Sequence, residues 1–211
     1  MIVHHFTTPI TTPFARKSTQ IYGDLRRLCE KAKIKESAKK PEITGLCRLI
    51  KGYKIMIKVL FVCHGNICRS TLAESVFTYK VKELGLEEQF IIDSFATSTE
   101  EIGNPPHRGT VKKLREVGIP LVPHRAKQIT WADYNKFDYI IGMDTANIRN
   151  LNRMLRNDPE GKIYKFLTFA GTGRDIADPW YTGNFDETYE DVMEGCDGFL
   201  KYLTEQGEIY R

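Results

Sequence analysis

Residues 57–70 read IKVLFVCHGNICRS. Ile57 to Val62 is apolar except for Lys58, short, and closed by turn-forming residues, so it reads as a buried strand. Gly65 and Asn66 follow, and from Ser70 to Leu84 the spacing places Ala73, Val76, Phe77 and Leu84 on one helical face. Gly85 supplies the C′ residue that stops the helix. Downstream the same alternation continues. Phe90–Ser94 reads as a second strand, Pro106–Val117 as a helix opened by Pro and ended by Gly118, and Asp138–Met143 as a third strand. A helix over Thr145–Leu155, a fourth strand over Ile163–Leu167 and a last helix over Glu187–Glu205 complete the series. The last helix carries a stripe of Val192, Cys196, Phe199, Leu200 and Leu203. Strands alternating with helices imply an α/β fold, a parallel sheet covered on both faces, with ligands bound beyond the strand C-terminal ends.

Upstream of this pattern the composition changes. Residues 1–55 hold 12 Lys/Arg against 4 Asp/Glu, whereas residues 56–211 hold 19 against 23, so the net charge of +4 joins a basic segment to a mildly acidic one. Ile21, Leu25, Leu28 and Cys29 fit one amphipathic helix, but Thr-Thr-Pro repeats and Lys39-Lys40-Pro41 interrupt the rest. Residues 1–55 are therefore expected to be a poorly structured basic extension, flexible or a start-site artefact, and residues 56–211 the domain. A basic tether to an acidic partner or membrane surface is the functional alternative, and a transit peptide a weaker third.

Composition narrows the class further. With 41% hydrophobic and 27% charged residues the chain is not disordered throughout, fibrous or collagenous. No apolar run approaches the roughly 18 residues of a membrane span. The first residues lack the apolar core of a secretory signal. Five cysteines without a pairing pattern argue against a disulfide framework, so a reducing, cytoplasmic setting is expected. The basic excess lies wholly in residues 1–55, and no nucleic-acid partner is expected.

The loop Cys63–Ser70 lies between first strand and first helix, where backbone N–H groups and the helix N-terminus face an anion. A thiolate, not a thiol, is the nucleophile in cysteine chemistry, and Cys63 faces those donors together with Arg69. Arg69 offers a planar fork for two phosphoryl oxygens, a geometry that Lys lacks. Gly65 permits unusual backbone angles, Asn66 can hold a left-handed turn, and Ser70 can cap the helix and donate to the Cys63 sulfur. A Cys and Arg six residues apart are weak evidence alone, because a Cys ending a strand is often a small core residue. Cys63, His64 and Cys68 lack a second cluster at zinc-like spacing. The second signal is Asp178-Pro-Trp-Tyr181 in a loop before the last helix. A carboxylic acid there can protonate a departing phenoxide, Pro179 holds Asp178 extended, and Trp180 and Tyr181 offer flat surface to an aromatic group.

In these residues the chain closely resembles the low-molecular-weight protein tyrosine phosphatases, from about Met56 to Leu203. The resemblance rests on the loop Cys63–Ser70, Asp93-Ser94, Gly118-Ile119 with His124-Arg-Ala-Lys-Gln-Ile-Thr130, Phe137-Asp-Tyr-Ile-Ile with Met143-Asp144, and Asp178–Tyr181. It implies a flavodoxin-like three-layer fold, a four-stranded parallel sheet of order 2-1-3-4, no metal or cofactor, and a monomer. It makes Cys63 the nucleophile, Arg69 the phosphate clamp and Asp178 the general acid and later base. His64, Gly65, Asn66, Ile67, Cys68, Ser70, Glu100, Trp180 and Tyr181 become the substrate-binding set. By the same resemblance Asn66, Ser94 and His124 form a hydrogen-bonded group that supports the loop, and Ser70 is the thiolate partner. The implied substrate is a tyrosine-phosphorylated protein or an aryl phosphate, hydrolysed through a phosphocysteine intermediate, with phosphate and other oxyanions as loop ligands.

Thr71 stands where the family usually has Pro, which should loosen the first helical turn. His64 occupies a variable pocket position, Glu100 falls near where animal members carry a large aromatic, and Trp180 replaces the common Tyr, all at positions that shape substrate preference. An arginine phosphatase branch carries Thr where this chain has Ile67, whose side chain packs on an aryl ring but cannot bond a guanidinium. Arsenate reductases of this fold need a late resolving Cys pair, and only Cys196 is available. A phosphocarrier domain would leave Arg69 and Asp178 unemployed. A non-enzymatic nucleic-acid binder would rest on residues 1–55 alone.

Overall fold

Val59, Leu60, Phe61 and Val62 are fully buried in succession, as a strand must be when both faces of its sheet are covered. The structure is a computed structural model, and it describes residues 56–209. Its elements are β1 Ile57–Cys63, α1 Arg69–Glu83, β2 Phe90–Ala96, α2 Arg108–Glu116, α3 Trp131–Tyr134, β3 Tyr139–Gly142, α4 Thr145–Met154, β4 Ile163–Lys165, α5 Pro179–Thr182 and α6 Phe185–Gln206, with short 3-10 turns at Glu87–Gln89 and Phe166–Thr168. All strand pairs are parallel. β1 runs beside β2 from Ile57↔Phe90 to Cys63↔Ala96 and beside β3 from Val59↔Tyr139 to Val62↔Gly142, and β4 extends β3. The sheet order is β2-β1-β3-β4, as expected.

Side chains alternate along β1 and build two cores. Phe61 joins Phe77 of α1, Phe166 and Phe199 of α6 on one face, with Phe61 and Phe77 edge to face at 5.7 Å and Phe77 and Phe199 at 5.4 Å. Leu60 and Val62 meet Tyr134, Ile140 and Leu151 on the other. Full burial of one such ring stabilises the fold by about 1.5–3 kcal/mol. The last helix approaches the backbone closely at Gly198, where a Cβ would stand 2.6 Å from the Phe169 carbonyl. The whole expected stripe of α6 is buried.

Several boundaries differ from expectation, each for a local reason. The α2 helix starts at Arg108, because the His107 ring accepts from the Gly109 N–H at 3.1 Å and so acts as its cap. Phe166 and Leu167 leave the fourth strand for a 3-10 turn. The expected loop at Asp178–Tyr181 is a short helix with Asp178 as N-cap. Ser70 does not cap α1; Cys68 holds that position without a side-chain cap bond, and Ser70 lies one residue inside the helix. Thr71 does not loosen the first turn either, since its hydroxyl donates to the Cys68 carbonyl at 2.9 Å. Residues 1–55, with the amphipathic stretch at Ile21–Cys29, lie outside the described residues.

Candidate active site

β1 ends at Cys63, and the chain enters α1 through five loop residues. Asn66 takes the left-handed backbone expected of it, with φ 58°. That turn aims the Asn66 N–H at the Cys63 sulfur, 3.2 Å away. Asn66 Nδ2 donates to Ser70 Oγ at 3.0 Å and to Ser94 Oγ at 2.9 Å. With its lone pair taken by Asn66, the Ser70 hydroxyl can direct its hydrogen to the Cys63 sulfur at 3.1 Å. His124 Nε2 and the Lys127 N–H both meet Asn66 Oδ1, at 2.9 and 3.1 Å. Ser94, from β2, donates to Glu74 Oε2 at 2.6 Å, and His124 Nδ1 lies 3.3 Å from that same oxygen. The loop is thus tied to α1, to β2 and to the segment after α2 by buried polar side chains, each with a partner.

Arg69 opens α1 and is only 2% exposed. Nη1 donates to Asp144 Oδ2 at 2.5 Å and to the Ile176 carbonyl at 3.1 Å, and Nη2 is paired with Asp178 Oδ2. Burial works against its charge, but Cys63, Asp178 and Asp144 outweigh burial and raise its pKa. Its buried Nε–H has no acceptor among the described residues. Asp178 turns its second oxygen to the Trp180 N–H at 3.1 Å, so Pro179 and the cap together fix the carboxyl against Arg69.

A cavity of about 100 Å³ opens above the Cys63 sulfur, lined by Cys63, His64, Gly65, Ile67, Cys68, Glu100, Glu101, Asp178, Trp180 and Tyr181. Trp180 and Tyr181 stand at its mouth, 55% and 83% exposed. His64 and Glu100 pair across the rim at 3.0 Å. Asn66, Ser70, Ser94 and His124 lie behind the wall instead. Burial, then the negative charge of Cys63, pushes the Cys68 thiol up to about 12. Cys196 is fully buried on α6, away from this cavity, and burial raises its pKa as well. Glu74, Asp93 and His124 converge closely enough to hold an ion, but Glu74 and His124 are committed to the loop support and Asp93 to Lys127 at 2.8 Å.

The sequence reading missed Glu74, Asp144, the Ile176 carbonyl and Glu101. Glu74 left a signal, an acid four residues beyond Ser70 on the helix that follows the loop. Asp144 is visible as the cap of α4, where it accepts from the Asn147 N–H at 2.6 Å, but its bond to Arg69 crosses 75 residues.

The profile of the family described as Low molecular weight phosphotyrosine protein phosphatase matches residues 58–209. The chain belongs to that family. Among its low molecular weight relatives, the protein-tyrosine-phosphatase YfkJ of Bacillus subtilis is 39% identical over 156 residues, which span 73% of this chain and all of YfkJ. The crystal structure of YfkJ superposes with TM-score 0.69 at 40% identity, over 71% of this chain and 96% of its own. The low molecular weight phosphotyrosine protein phosphatase of Schizosaccharomyces pombe is 39% identical, over 70% of this chain and 97% of that protein. The structure of DARP, a Drosophila arginine phosphatase, matches with TM-score 0.64 at 30% identity over 69% and 97% of the two chains. The proteins similar to this chain thus include ones named for two phosphorylated residues.

Proposed function

We propose that the protein hydrolyses phosphotyrosine and aryl phosphate monoesters through a phosphocysteine intermediate, with a tyrosine-phosphorylated protein as its substrate. The observation that carries this reading is one small cavity lined by Cys63 and Asp178, with the buried Arg69 guanidinium bonded to the Asp178 carboxyl and keeping one N–H unpaired among the described residues. The Cys63 thiolate attacks phosphorus while the aryl P–O bond breaks, and Asp178 gives its proton to the departing phenoxide. Arg69, held from behind by Asp144, supplies donors to the equatorial oxygens as charge develops on them. Water then attacks the phosphocysteine, its proton passes to Asp178, and phosphate leaves with the thiolate restored. The Asn66 N–H and Ser70 hydroxyl stabilise the sulfur when it is the leaving group in this second step. Ile67, with the rings of Trp180 and Tyr181, gives the cavity apolar surface for an aryl ring, and the Ile67 side chain has no group to hydrogen-bond a guanidinium, which favours phosphotyrosine over phosphoarginine.

The test is the rate of p-nitrophenyl phosphate and phosphotyrosine-peptide hydrolysis by the intact chain and by Cys63→Ser, with a phosphoarginine peptide alongside. The serine variant is expected to bind phosphate and to turn over less than a hundredth as fast as wild type, because its hydroxyl is a far weaker nucleophile. Activity above a tenth of wild type refutes the assignment of Cys63, and faster hydrolysis of phosphoarginine than of phosphotyrosine refutes the substrate.

A further inference from the structure

We propose that a second groove, separated from the Cys63 cavity by the Trp180 ring, selects an acidic residue beside the phosphotyrosine through Arg108 and Lys112. This rests on the phosphotyrosine reading above. The groove measures about 620 Å³ and is lined by His107, Arg108, Gly109, Lys112, Pro179, Trp180, Gly183 and Phe185. Trp180 lines the groove and the active-site cavity alike. An extended peptide advances about 3.3 Å per residue, so one or two steps from a tyrosine seated over Cys63 carry its neighbours across the indole into the groove.

The charge there has one sign. Among the described residues no acidic side chain lines the groove, whereas Glu100, Glu101 and Asp178 line the cavity next to it. Arg108 is exposed, and its guanidinium has no hydrogen-bond or ion-pair partner among the described residues. Lys112 is 79% exposed, and its contact with Glu116 is a 3.6 Å pair along the helix surface, which water screens strongly. The neighbouring acid Asp186 is taken by Lys113. An acidic residue of a substrate is therefore attracted to one side of the tyrosine and repelled by the Glu100 and Glu101 rim.

The groove is also built before any peptide arrives. The His107 ring stacks on Phe185 at 5.3 Å and meets the Trp180 ring edge to face at 5.6 Å. A Cβ at Gly109 would fall 2.2 Å from the Phe185 ring, so the aromatic floor lies directly on the α2 backbone. A preformed groove spares a binding peptide the cost of ordering it.

The test compares kcat/KM of the full chain for phosphotyrosine peptides carrying Glu within two residues on either side of the tyrosine with that for their Gln counterparts. Wild type is expected to favour a Glu peptide by about three- to tenfold, through KM, with the preference shrinking at high salt. Arg108→Glu with Lys112→Glu should reverse the preference while p-nitrophenyl phosphate turnover and thermal midpoint stay at wild-type values. Should the reversed charges lower the midpoint, Arg108→Gln with Lys112→Gln carries the same comparison, and the preference should vanish. Equal use of Glu and Gln peptides by wild type, or a preference that survives loss of both cations, overturns the proposal. Absent wild-type turnover of p-nitrophenyl phosphate would instead overturn the phosphotyrosine reading, which separates the two failures.

Discussion

Asp178 joins two tasks in one carboxyl group. One oxygen meets Arg69 and the other caps α5 through the Trp180 N–H. Asn at this position keeps an acceptor for the cap but has no proton to give at neutral pH, so Asp178→Asn isolates the acid from the scaffold. With an unactivated phenyl phosphate the rate should fall about 10²- to 10⁴-fold, the usual worth of a general acid. With p-nitrophenyl phosphate, whose leaving group needs the proton less, the loss should be markedly smaller. Equal losses on both substrates, measured as kcat, would make Asp178 structural. At this scale the sequence was informative wherever neighbours in the chain are also neighbours in space. Cys63, Asn66, Arg69 and Ser70 stand within one loop and one helical turn, and their spacing states their geometry. Asp144, 75 residues from Arg69, has its partner fixed only by the fold, and no local pattern shows it.

Elements longer than two helical turns, and strands bounded by turn residues, were legible because burial repeats along them. The four-residue helices α3 and α5 carry too few residues for a period, and both start at side-chain caps, with Thr130 and Asp133 in reciprocal bonds at α3 and Asp178 at α5. The α2 start was misread because Pro106 was a stronger sequence signal than a histidine cap. Packing between α2 and α6 gives a direct test of that region. Gly109→Ala would drive a methyl group into the Phe185 ring, and overpacking of this kind costs about 1–3 kcal/mol. The thermal midpoint should drop by several degrees; an unchanged midpoint would mean that the Phe185 ring moves aside freely. The loop holds a second element-level device. Peroxide converts the Cys63 thiolate to a sulfenic acid with release of hydroxide, and the Cys68 thiol five residues on can then form the disulfide with release of water. Forming the sulfenic acid removes the negative sulfur that helps keep the Cys68 thiol protonated. Mass spectrometry of peroxide-treated protein should find a Cys63–Cys68 link reversed by dithiothreitol. Overoxidised Cys63 without that link would assign Cys68 to packing alone.

Across the whole molecule, charge and family coverage draw the same line. The family match begins at residue 58. YfkJ is covered over its full length by 73% of this chain. Residues 1–55 carry a net +8 and the remainder a net −4, a difference that permits electrostatic attraction but supplies little stability between exposed charges at physiological salt. A chain beginning at Met56 should therefore unfold at the same midpoint as the full chain and turn over p-nitrophenyl phosphate with the same kcat and KM. The opposite expectation has a definite physical source. If Ile21, Leu25 and Leu28 packed on the domain, truncation would return their apolar contact area to water at about 25 cal/mol per Å². A few hundred Å² would then lower the midpoint by several degrees, given that about 1 kcal/mol shifts the midpoint of a domain of 150–250 residues by 2–4 °C. Differential scanning calorimetry of both chains at equal salt decides it: matching midpoints place the fold and its chemistry entirely after residue 55, and a drop of that size makes the basic segment part of the folded enzyme.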